Sequence, residues 1–278
     1  MTPLCYNLIV QRARKHIFGE MVGSNASKKE GDGYDFAQIR PYMYGENVKR
    51  IDWKQSAKNG EIQVRSFFEE KEIHLHVIGL MNGSMHFGIE HSKQEVMSEV
   101  VALLGLSAIK NSDFFAFSLL CDKLLWQSPS SKKEAMVRES ILKILQTPLL
   151  GEKINWDYIQ EYALYHIKKP SLLFIIGDFF ELPKLGAIAR KHEVIAIKVR
   201  DRFEEKPWSM GALHVKDPIT LKEDKVILDE AFIKRYTTKQ KEQDIALESC
   251  FKKEGIKTIS IYTNEDPFVK LFATLRML

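Results

Sequence analysis

The stretch "EIHLHVIGLMNGSM", residues 72–85, decides the fold class, because it joins an apolar strand pattern to a loop of small residues. Residues 73–80 are mostly aliphatic, which is typical of a strand in a protein core. Asn82 and Gly83 then favour a turn. A helical pattern of apolar positions follows at once in "HSKQEVMSEVVALLGLSAIKNS", residues 91–112. The stretch therefore predicts a strand, a loop and a helix in succession.

The same alternation of strand and helix patterns continues to the end of the chain. Uniformly apolar segments, typical of parallel strands, occur in "SLLFIIGDFF" (171–180) and "EVIAIKVRD" (193–201), and "IKTISIYT" (256–263) predicts a further strand. Helical patterns separate them, so residues 71–278 are predicted to form a Rossmann-like, doubly wound α/β sheet. In such sheets, functional loops follow the carboxyl ends of the strands. The loops after residues 80 and 177 are therefore the candidate site.

The first 70 residues have a different character and are predicted to form a small N-terminal segment. Residues 1–17 favour a short helix, and residues 23–33 are rich in Gly, Ser, Asn and Lys, as in an exposed loop. Residues 34–60 favour turns and a short helix, and "EIQVRSFFEE" (61–70) predicts a strand. We refer to residues 18–70 as the collar segment, and we expect it to be β-rich and to pack on the α/β domain.

Composition excludes several classes of protein. The chain has 278 residues, a net charge of +4 and 45% hydrophobic residues, which suits a globular protein without a strongly basic surface. Its three cysteines, Cys5, Cys121 and Cys250, form neither a CxxC pair nor a disulfide pattern. The N-terminus does not match a signal peptide, and no apolar run is long enough to cross a membrane. We expect a cytoplasmic protein.

Residues 31–88 resemble a bacterial family described as domain of unknown function 58 (DUF58). The matching residues are Gly31, Gly33, Asp35, Phe36, Ile39, Arg40, Tyr42, Gly45, Glu46, Arg50, Ile51, Asp52, Trp53, Ser56, Ala57 and Lys58. Farther along, "FIIGDF" (174–179) and "VRDRFE" (199–204) resemble the family more weakly. The resemblance implies a von Willebrand factor A fold and a partner, since such proteins are commonly encoded beside MoxR-type AAA+ ATPases.

The resemblance also implies where a metal ion would bind and why the loop here is degenerate. A von Willebrand A domain holds a divalent ion with a D-x-S-x-S loop and a later Asp. Here Leu80 stands at the first Asp position and Asn82 at the first Ser position, whereas Ser84 and Asp178 match. Mg²⁺ prefers carboxylate and other hard oxygen ligands, so we expect no tight metal site and at most weak Mg²⁺ binding. In a purely structural interpretation, Asp178 caps a helix or accepts from loop amides.

The opening of the family motif allows three interpretations. In the structural one, which we favour, Arg40 and Arg50 pair with carboxylates such as Asp52 or Asp35. The rings expected to anchor the segment on the core are those of Phe36 and Trp53. The hypothesis predicts that Arg50→Ala or Asp52→Ala lowers the melting temperature.

A nucleic-acid interface and a catalytic site are the other two interpretations. Basic and aromatic residues suited to phosphate and base contacts are concentrated in residues 40–65. They are Arg40, Lys49, Arg50, Lys54, Lys58 and Arg65, with Tyr42, Tyr44 and Trp53. Nearby carboxylates cancel most of their charge. Acid–base candidates are Asp35, Glu46, Asp52 and His74, but no GxSxG, Walker A or HExxH motif occurs. His74 and His76 share a strand face, and a hydrogen-bonded structural role is favoured over a metal site.

We expect a non-enzymatic adaptor or scaffold, and the family resemblance implies that it acts with a MoxR-type AAA+ ATPase in protein assembly, maturation or stress response. We expect that ATPase and client proteins as partners, and neither a membrane nor a nucleic acid. Candidate partner-surface residues are Asp35, Phe36, Arg40, Tyr42, Gly45, Arg50, Asp52 and Trp53. The alternatives are a divalent-metal-dependent protein-binding domain, which uses Asn82, Ser84 and Asp178, and a nucleic-acid-associated factor, which uses residues 40–65.

Overall fold

The computed structural model describes residue 13, residues 30–68 and residues 72–275. Its contacts divide the chain into two compact units. The smaller unit is Val22–Glu72, and the larger one comprises Met1–Met21 and Ile73–Leu278. The helix predicted over residues 1–17, most of the loop predicted over 23–33, and Cys5 lie outside the described residues.

The smaller unit contains a two-stranded antiparallel sheet. Strand β1 (Glu30–Pro41) pairs with β2 (Gln63–Phe68), and the register between them shifts at Phe36. A 3₁₀ helix (Val48–Arg50) and helix α1 (Trp53–Asn59) lie between the strands in sequence. The sequence predicts β2 and a short helix but misses β1. Glycine and charged residues interrupt the alternation of apolar side chains that would mark this strand.

The larger unit is built on a six-stranded sheet, with a separate antiparallel hairpin of β8 (Gly211–Lys216) and β9 (Glu223–Leu228). The six strands are β3 (His74–Leu80), β4 (Phe114–Leu120), β5 (Leu124–Gln127), β6 (Leu172–Gly177), β7 (Glu193–Arg200) and β10 (Lys257–Tyr262). Their order across the sheet is β10-β7-β6-β3-β4-β5. All neighbours are parallel except β4 and β5. The prediction of a Rossmann-like, mostly parallel sheet is confirmed.

Helices connect these strands and complete the core of the larger unit. They are α2 (Lys93–Lys110), α3 (Glu134–Gln146), α4 (Trp156–Tyr165), α5 (Gly186–Lys191), α6 (Arg202–Glu205), α7 (Glu230–Glu254) and α8 (Pro267–Leu275). Successive side chains of a strand point to opposite faces, so Val77 and Ile78 belong to two different apolar clusters. Residues of α2 contribute to the Val77 cluster, and residues of α4 to the Ile78 cluster. The parallel strands bring the ends of β3, β6 and β7 to one edge of the sheet.

Candidate functional site

The loops after β3 and β6 bring three predicted residues together at the carboxyl edge of the sheet. The Ser84 hydroxyl hydrogen-bonds to the Asp178 carboxylate and lies 2.9 Å from Asn82 Oδ1. Asn82 Nδ2 lies 3.3 Å from Asp178 Oδ2. Asn82 and Asp178 are both buried. Asp178 therefore bonds side chains of the loop after β3, including the amide group of Asn82.

A buried lysine, which the sequence analysis did not identify, supplies the positive charge at this edge. Lys93 has no solvent-exposed surface, and its Nζ lies 3.5 Å from Asp178 Oδ2. The same ammonium group donates to both Glu204 oxygens, at 2.7 and 3.0 Å. Lys93 is the first residue of α2, where the helix dipole disfavours a cation. The two carboxylates, rather than the helix end, therefore stabilise the charge there.

Position 80 contributes apolar packing to the edge. Leu80 is 3% exposed and belongs to the same apolar cluster as Ile78. It lies close to the neighbouring strand, since a Cβ placed on Gly177 would come within 2.9 Å of the Leu80 side chain. Leucine carries no atom that binds a cation, so position 80 fills the core and supplies no ligand for an ion.

Arg200, at the end of β7, holds the backbone that carries Asp178. Its guanidinium donates to the carbonyl oxygens of Asp178 and Phe179, the latter at 3.1 Å, and lies 3.5 Å from an Asp244 oxygen. Phe180 covers it, with the ring centre 3.9 Å from Arg200 Cζ. Phe179 has a left-handed backbone with φ of 51°, which costs on the order of 1–3 kcal/mol for a residue with a side chain. The buried arginine offsets part of this cost.

Several charges of opposite sign are paired at this edge. Burial raises the pKa of Glu204 above its usual value, although the charge and hydrogen bonds of Lys93 act in the opposite direction. Asp244 pairs with Lys198 as well as with Arg200, each at 3.5 Å. The buried cations and carboxylates thus lie next to one another inside the protein, which lowers the cost of burying them, although Arg200 Nη1 has no hydrogen-bond partner among the described residues.

The glycine of the loop after β3 is required for space. A side chain at Gly83 would overlap the backbone carbonyl of Pro218, and the Gly83 amide donates to the carbonyl of Glu152 at 3.0 Å. The sequence interpretation assigned Asn82 and Gly83 to a turn, because both residues tolerate unusual backbone angles. In the structure, residues 83–86 form a 3₁₀ helix, and the glycine is required because another loop approaches it closely.

A second group of polar side chains lies beside this loop. The ligating atoms of Cys121, Asp122 and Glu152 all lie within 4.8 Å of one another. Lys123 Nζ lies 3.1 Å from Glu152 Oε1. Burial raises the pKa of the Cys121 thiol to about 12, and the two carboxylates add to that effect. Cys121 is thus a buried, protonated thiol, and Cys250 is partly buried in α7.

The described part of the collar segment contains arginine–carboxylate pairs, formed by Arg40 and Arg65. Arg40 pairs with Glu46, with Nη1 3.1 Å from Oε2, and its hydrogen bonds lower the Glu46 pKa. Arg65 Nε lies 2.8 Å from Asp52 Oδ2. Asp52 also begins α1 by accepting from the amide of Gln55 at 3.1 Å, and this bond and Arg65 lower its pKa. The Arg40–Glu46 pair links the end of β1 to the turn that follows it, and the Arg65–Asp52 pair links β2 to the start of α1.

The other predicted residues of the collar segment fall into three groups. Trp53 is 66% exposed, so the expectation that it is a buried anchor is wrong: as the first residue of α1 its ring faces solvent. The charge of Arg50 acts on Glu46 and helps to lower its pKa. The side chains of Asp35 and Phe36, on β1, lie outside the described residues, and the predictions that rest on them stay predictions.

The backbone conformation of the turn before the 3₁₀ helix fits the residues that form it. Gly45 has φ of 96°, a left-handed value that favours glycine. The Tyr42 hydroxyl donates to the carbonyl of Glu46 at 3.3 Å. Large apolar side chains in this part of the chain are strongly exposed, and they are Met43, Tyr44, Val48, Trp53 and Ile62.

The model of the family described as "Protein of unknown function DUF58" matches residues 38–246. The chain belongs to the DUF58 family. Among curated relatives, the uncharacterized protein Rv1480 of Mycobacterium tuberculosis is 22% identical over 214 residues, which are 73% of this chain and 67% of the relative. The uncharacterized protein Mb1516 of Mycobacterium bovis matches to the same extent. The family and these relatives have no assigned function.

Three solved structures have weaker similarity to this DUF58 protein. The conserved hypothetical protein BatB from Bacteroides thetaiotaomicron is 10% identical and covers 74% of this chain and 97% of its own, with a TM-score of 0.41. An aerotolerance-related membrane protein from Bacteroides fragilis is 8% identical over 66% and 98%, with a TM-score of 0.37. An uncharacterized membrane spanning protein from Vibrio fischeri is 13% identical over 74% and 98%, with a TM-score of 0.30.

The names of these structures contradict one expectation. Two of the three are named as membrane proteins, whereas the sequence analysis expects a cytoplasmic protein. That prediction is wrong on this comparison, and we withdraw it. Within residues 30–68 and 72–275, no helix has both the length and the apolar character needed to cross a bilayer.

The residues that sequence reasoning missed at the carboxyl edge are Lys93, Arg200 and Glu204. Lys93 stands in a stretch that reads as an ordinary helix start, with Ser92 and Glu95 forming a capping box. Its partner Glu204 is 111 residues away, so only the folded chain brings the two together. The available signal was "VRDRFE" (199–204), which resembles the family and contains both Arg200 and Glu204.

Proposed function

We propose that this DUF58 protein is a non-enzymatic adaptor, with a carboxyl-edge loop that an internal lysine holds in place of a metal ion. The observation that carries the proposal is the fully buried ammonium group of Lys93, 3.5 Å from Asp178. It brings a positive charge to the carboxylate that a divalent ion would need. The loop is thereby held without a cofactor.

Electrostatics supports an ion-independent loop. A divalent ion bound to Asp178 would lie a few ångströms from Lys93 Nζ, and like charges at that distance repel strongly away from water. Leu80 supplies packing where the ion would need a ligand. Asn82, Ser84 and Asp178 do converge, which is the feature in favour of the metal-dependent alternative. Their hydrogen bonds to one another, however, hold the three side chains together without an ion, and an ion would have to displace part of them.

The proposed partner is a MoxR-type AAA+ ATPase, with client proteins as further partners. The family resemblance supplies this partner class, and exposed apolar side chains supply a candidate contact surface. Tyr44 and Trp53 are 103% and 66% exposed, and Met43 is 66% exposed. Aromatic residues and methionine are enriched at protein interfaces. We place the ATPase contact within residues 43–62, which contain these three side chains.

A pull-down with the MoxR-type ATPase of the same genome tests the adaptor function. We expect capture in at least one of the nucleotide-free, ATP and ADP states. Replacing Trp53 by Ser should weaken capture, because the exposed ring is lost. The matched control is Trp208→Ser, which removes another ring, 53% exposed, from the larger unit. Failure of the wild-type protein in all three states, or equal loss in both variants, contradicts the proposal.

A further inference from the structure

A cleft of about 420 Å³ opens at the amino edge of the same sheet, and the proposed function does not use it. The starts of β3 and β4 form one side, and the end of α4 with the chain leading into β6 forms another. Its volume lies within the range of about 300–1,000 Å³ that is typical of small-molecule sites. The cleft lies wholly within the larger unit.

Most of the polar side chains that line the cleft are basic or carry hydroxyl groups. They include His74, His166, Lys168, Lys169, Ser130 and Ser171. Among the described residues, no aspartate or glutamate lines it. Lys169 Nζ lies 3.5 Å from His74 Nε2, and Lys132 Nζ lies 4.6 Å from the ring centre of Phe114, which also lines the cleft. The cleft therefore carries an excess of positive charge, which favours an anionic ligand.

A chain of hydrogen bonds fixes the polar groups at the base of the cleft. The Tyr162 hydroxyl donates to Gln127 Oε1 at 2.8 Å, so it accepts from Ser118, also at 2.8 Å. Ser118 Oγ, whose single proton is thereby used, then accepts from His76 Nε2 at 2.8 Å. Burial lowers the pKa of His76 to about 3, so its ring is neutral. This chain agrees with the predicted structural role of His76.

The types of side chain indicate the class of anion. No arginine lines the described part of the cleft, and the lysine and hydroxyl groups that do line it are groups that bind phosphate in proteins. Two stacked pairs of rings belong to the lining. His74 and Phe114 have ring centres 4.9 Å apart, and Tyr162 and His166 have ring centres 4.8 Å apart. Aromatic walls of this kind favour a planar ring in the ligand.

We propose that the cleft binds a phosphate-bearing small molecule with a planar ring, of the size of a nucleoside monophosphate. Lys168 and Lys169 contact the phosphate, and the ring lies against the aromatic pairs. The inference is independent of the adaptor function, since it concerns the opposite edge of the sheet.

Isothermal titration with AMP, adenosine and inorganic phosphate tests this proposal. We expect saturable binding of AMP, with adenosine and phosphate each at least about tenfold weaker, since each keeps part of the contacts. The double variant Lys168→Met, Lys169→Met should weaken AMP by about tenfold or more, because charged hydrogen bonds to the phosphate are lost. The matched control is Lys241→Met, an exposed lysine of α7, which should bind AMP as the wild type does.

Histidine ring resonances in a ¹H–¹⁵N spectrum locate the binding. On addition of AMP, the signals of His74 and His166 should shift, and that of His214, exposed on the β8–β9 hairpin, should stay unchanged. No saturable AMP binding at millimolar concentration overturns the proposal. Wild-type affinity in the double variant, or unmoved His74 and His166 signals on binding, places the ligand elsewhere and also overturns it.

Discussion

The two edges of the six-stranded sheet treat charge in opposite ways. At the carboxyl edge, Lys93 and Arg200 are buried and paired with Asp178, Glu204 and Asp244. At the amino edge, the base of the cleft is a neutral chain of hydrogen bonds, and positive groups line its walls without a lining carboxylate among the described residues. The first edge pairs buried cations with carboxylates of the protein, whereas the second offers positive charge to a ligand.

The difference shows that the carboxyl edge of an α/β sheet, where sites are usually found, need not be the edge that offers groups to a ligand. Sites in such folds commonly lie at the carboxyl ends of the strands. Here that edge is occupied by the protein's own cation, which makes it a structural element. The groups available for a small molecule lie at the other end of the same strands.

The largest predicted effect comes from removing the cation of the carboxyl edge. Lys93→Met leaves Asp178 and Glu204 buried without their partner, which typically costs about 3–5 kcal/mol of unfolding free energy. Urea denaturation measures the loss. Replacing Asp178 by Asn in the same chain should recover part of it, because one unpaired charge is removed.

A surface ion pair is the control for that variant. Lys184 Nζ lies 2.7 Å from Asp157 Oδ1, and both side chains are more than half exposed. Lys184→Met should therefore cost less than about 1 kcal/mol. Equal losses for Lys93→Met and Lys184→Met would contradict the role given to the buried lysine.

The neutral chain at the amino edge predicts a pH dependence of stability. The pKa of His76 in the folded protein is about 3, below the usual 6.5, so on acidification the unfolded chain takes up a proton that the folded protein does not. Stability is therefore lost as the pH falls below about 7. Between pH 7 and pH 5 this group accounts for on the order of 2 kcal/mol.

Urea denaturation of the wild type and His76→Gln at these two pH values checks this effect. The variant should lose less stability between them, while His192, whose pKa burial also lowers, affects both proteins alike. The same loss in both proteins would show that His76 is not held neutral.

The smallest predicted effect tests whether charge pairing also matters in the smaller unit. Asp52→Ala removes the acceptor that begins α1 and the partner of Arg65. We expect the melting temperature to fall by a few degrees, as for the loss of other helix caps. Arg65→Ala, which keeps the cap, should have the smaller effect, and differential scanning calorimetry compares the two. An unchanged melting temperature for Asp52→Ala would contradict the pairing.

The sequence predicted the larger unit well because its signals are local. Apolar segments such as residues 171–180 and 193–201 become strands, and the capped segment that begins at Lys93 becomes a helix. The convergence of Ser84 and Asp178 also followed from the family motif. Strand β1 was missed because glycine and charged residues mask its alternation.

The side-chain contacts at the two edges of the sheet could not be predicted from short stretches of sequence. The Lys93–Glu204 pair and the His76–Ser118–Tyr162 chain join residues that are far apart in sequence. A lysine at a helix start and a histidine in a strand have many possible environments, and only the packing of the sheet selects one. The exposure of Trp53 was likewise decided by which side of α1 faces solvent.

The melting temperature in the presence of Mg²⁺ or Mn²⁺ tests most directly whether Lys93 stands in place of a metal ion. The account predicts that millimolar Mg²⁺ or Mn²⁺ leaves the wild-type melting temperature unchanged. In Lys93→Met, either ion should raise it, since the carboxylates then lack a cation. A rise for the wild-type protein that Asp178→Asn abolishes would contradict the account, because it would show an ion bound beside the lysine.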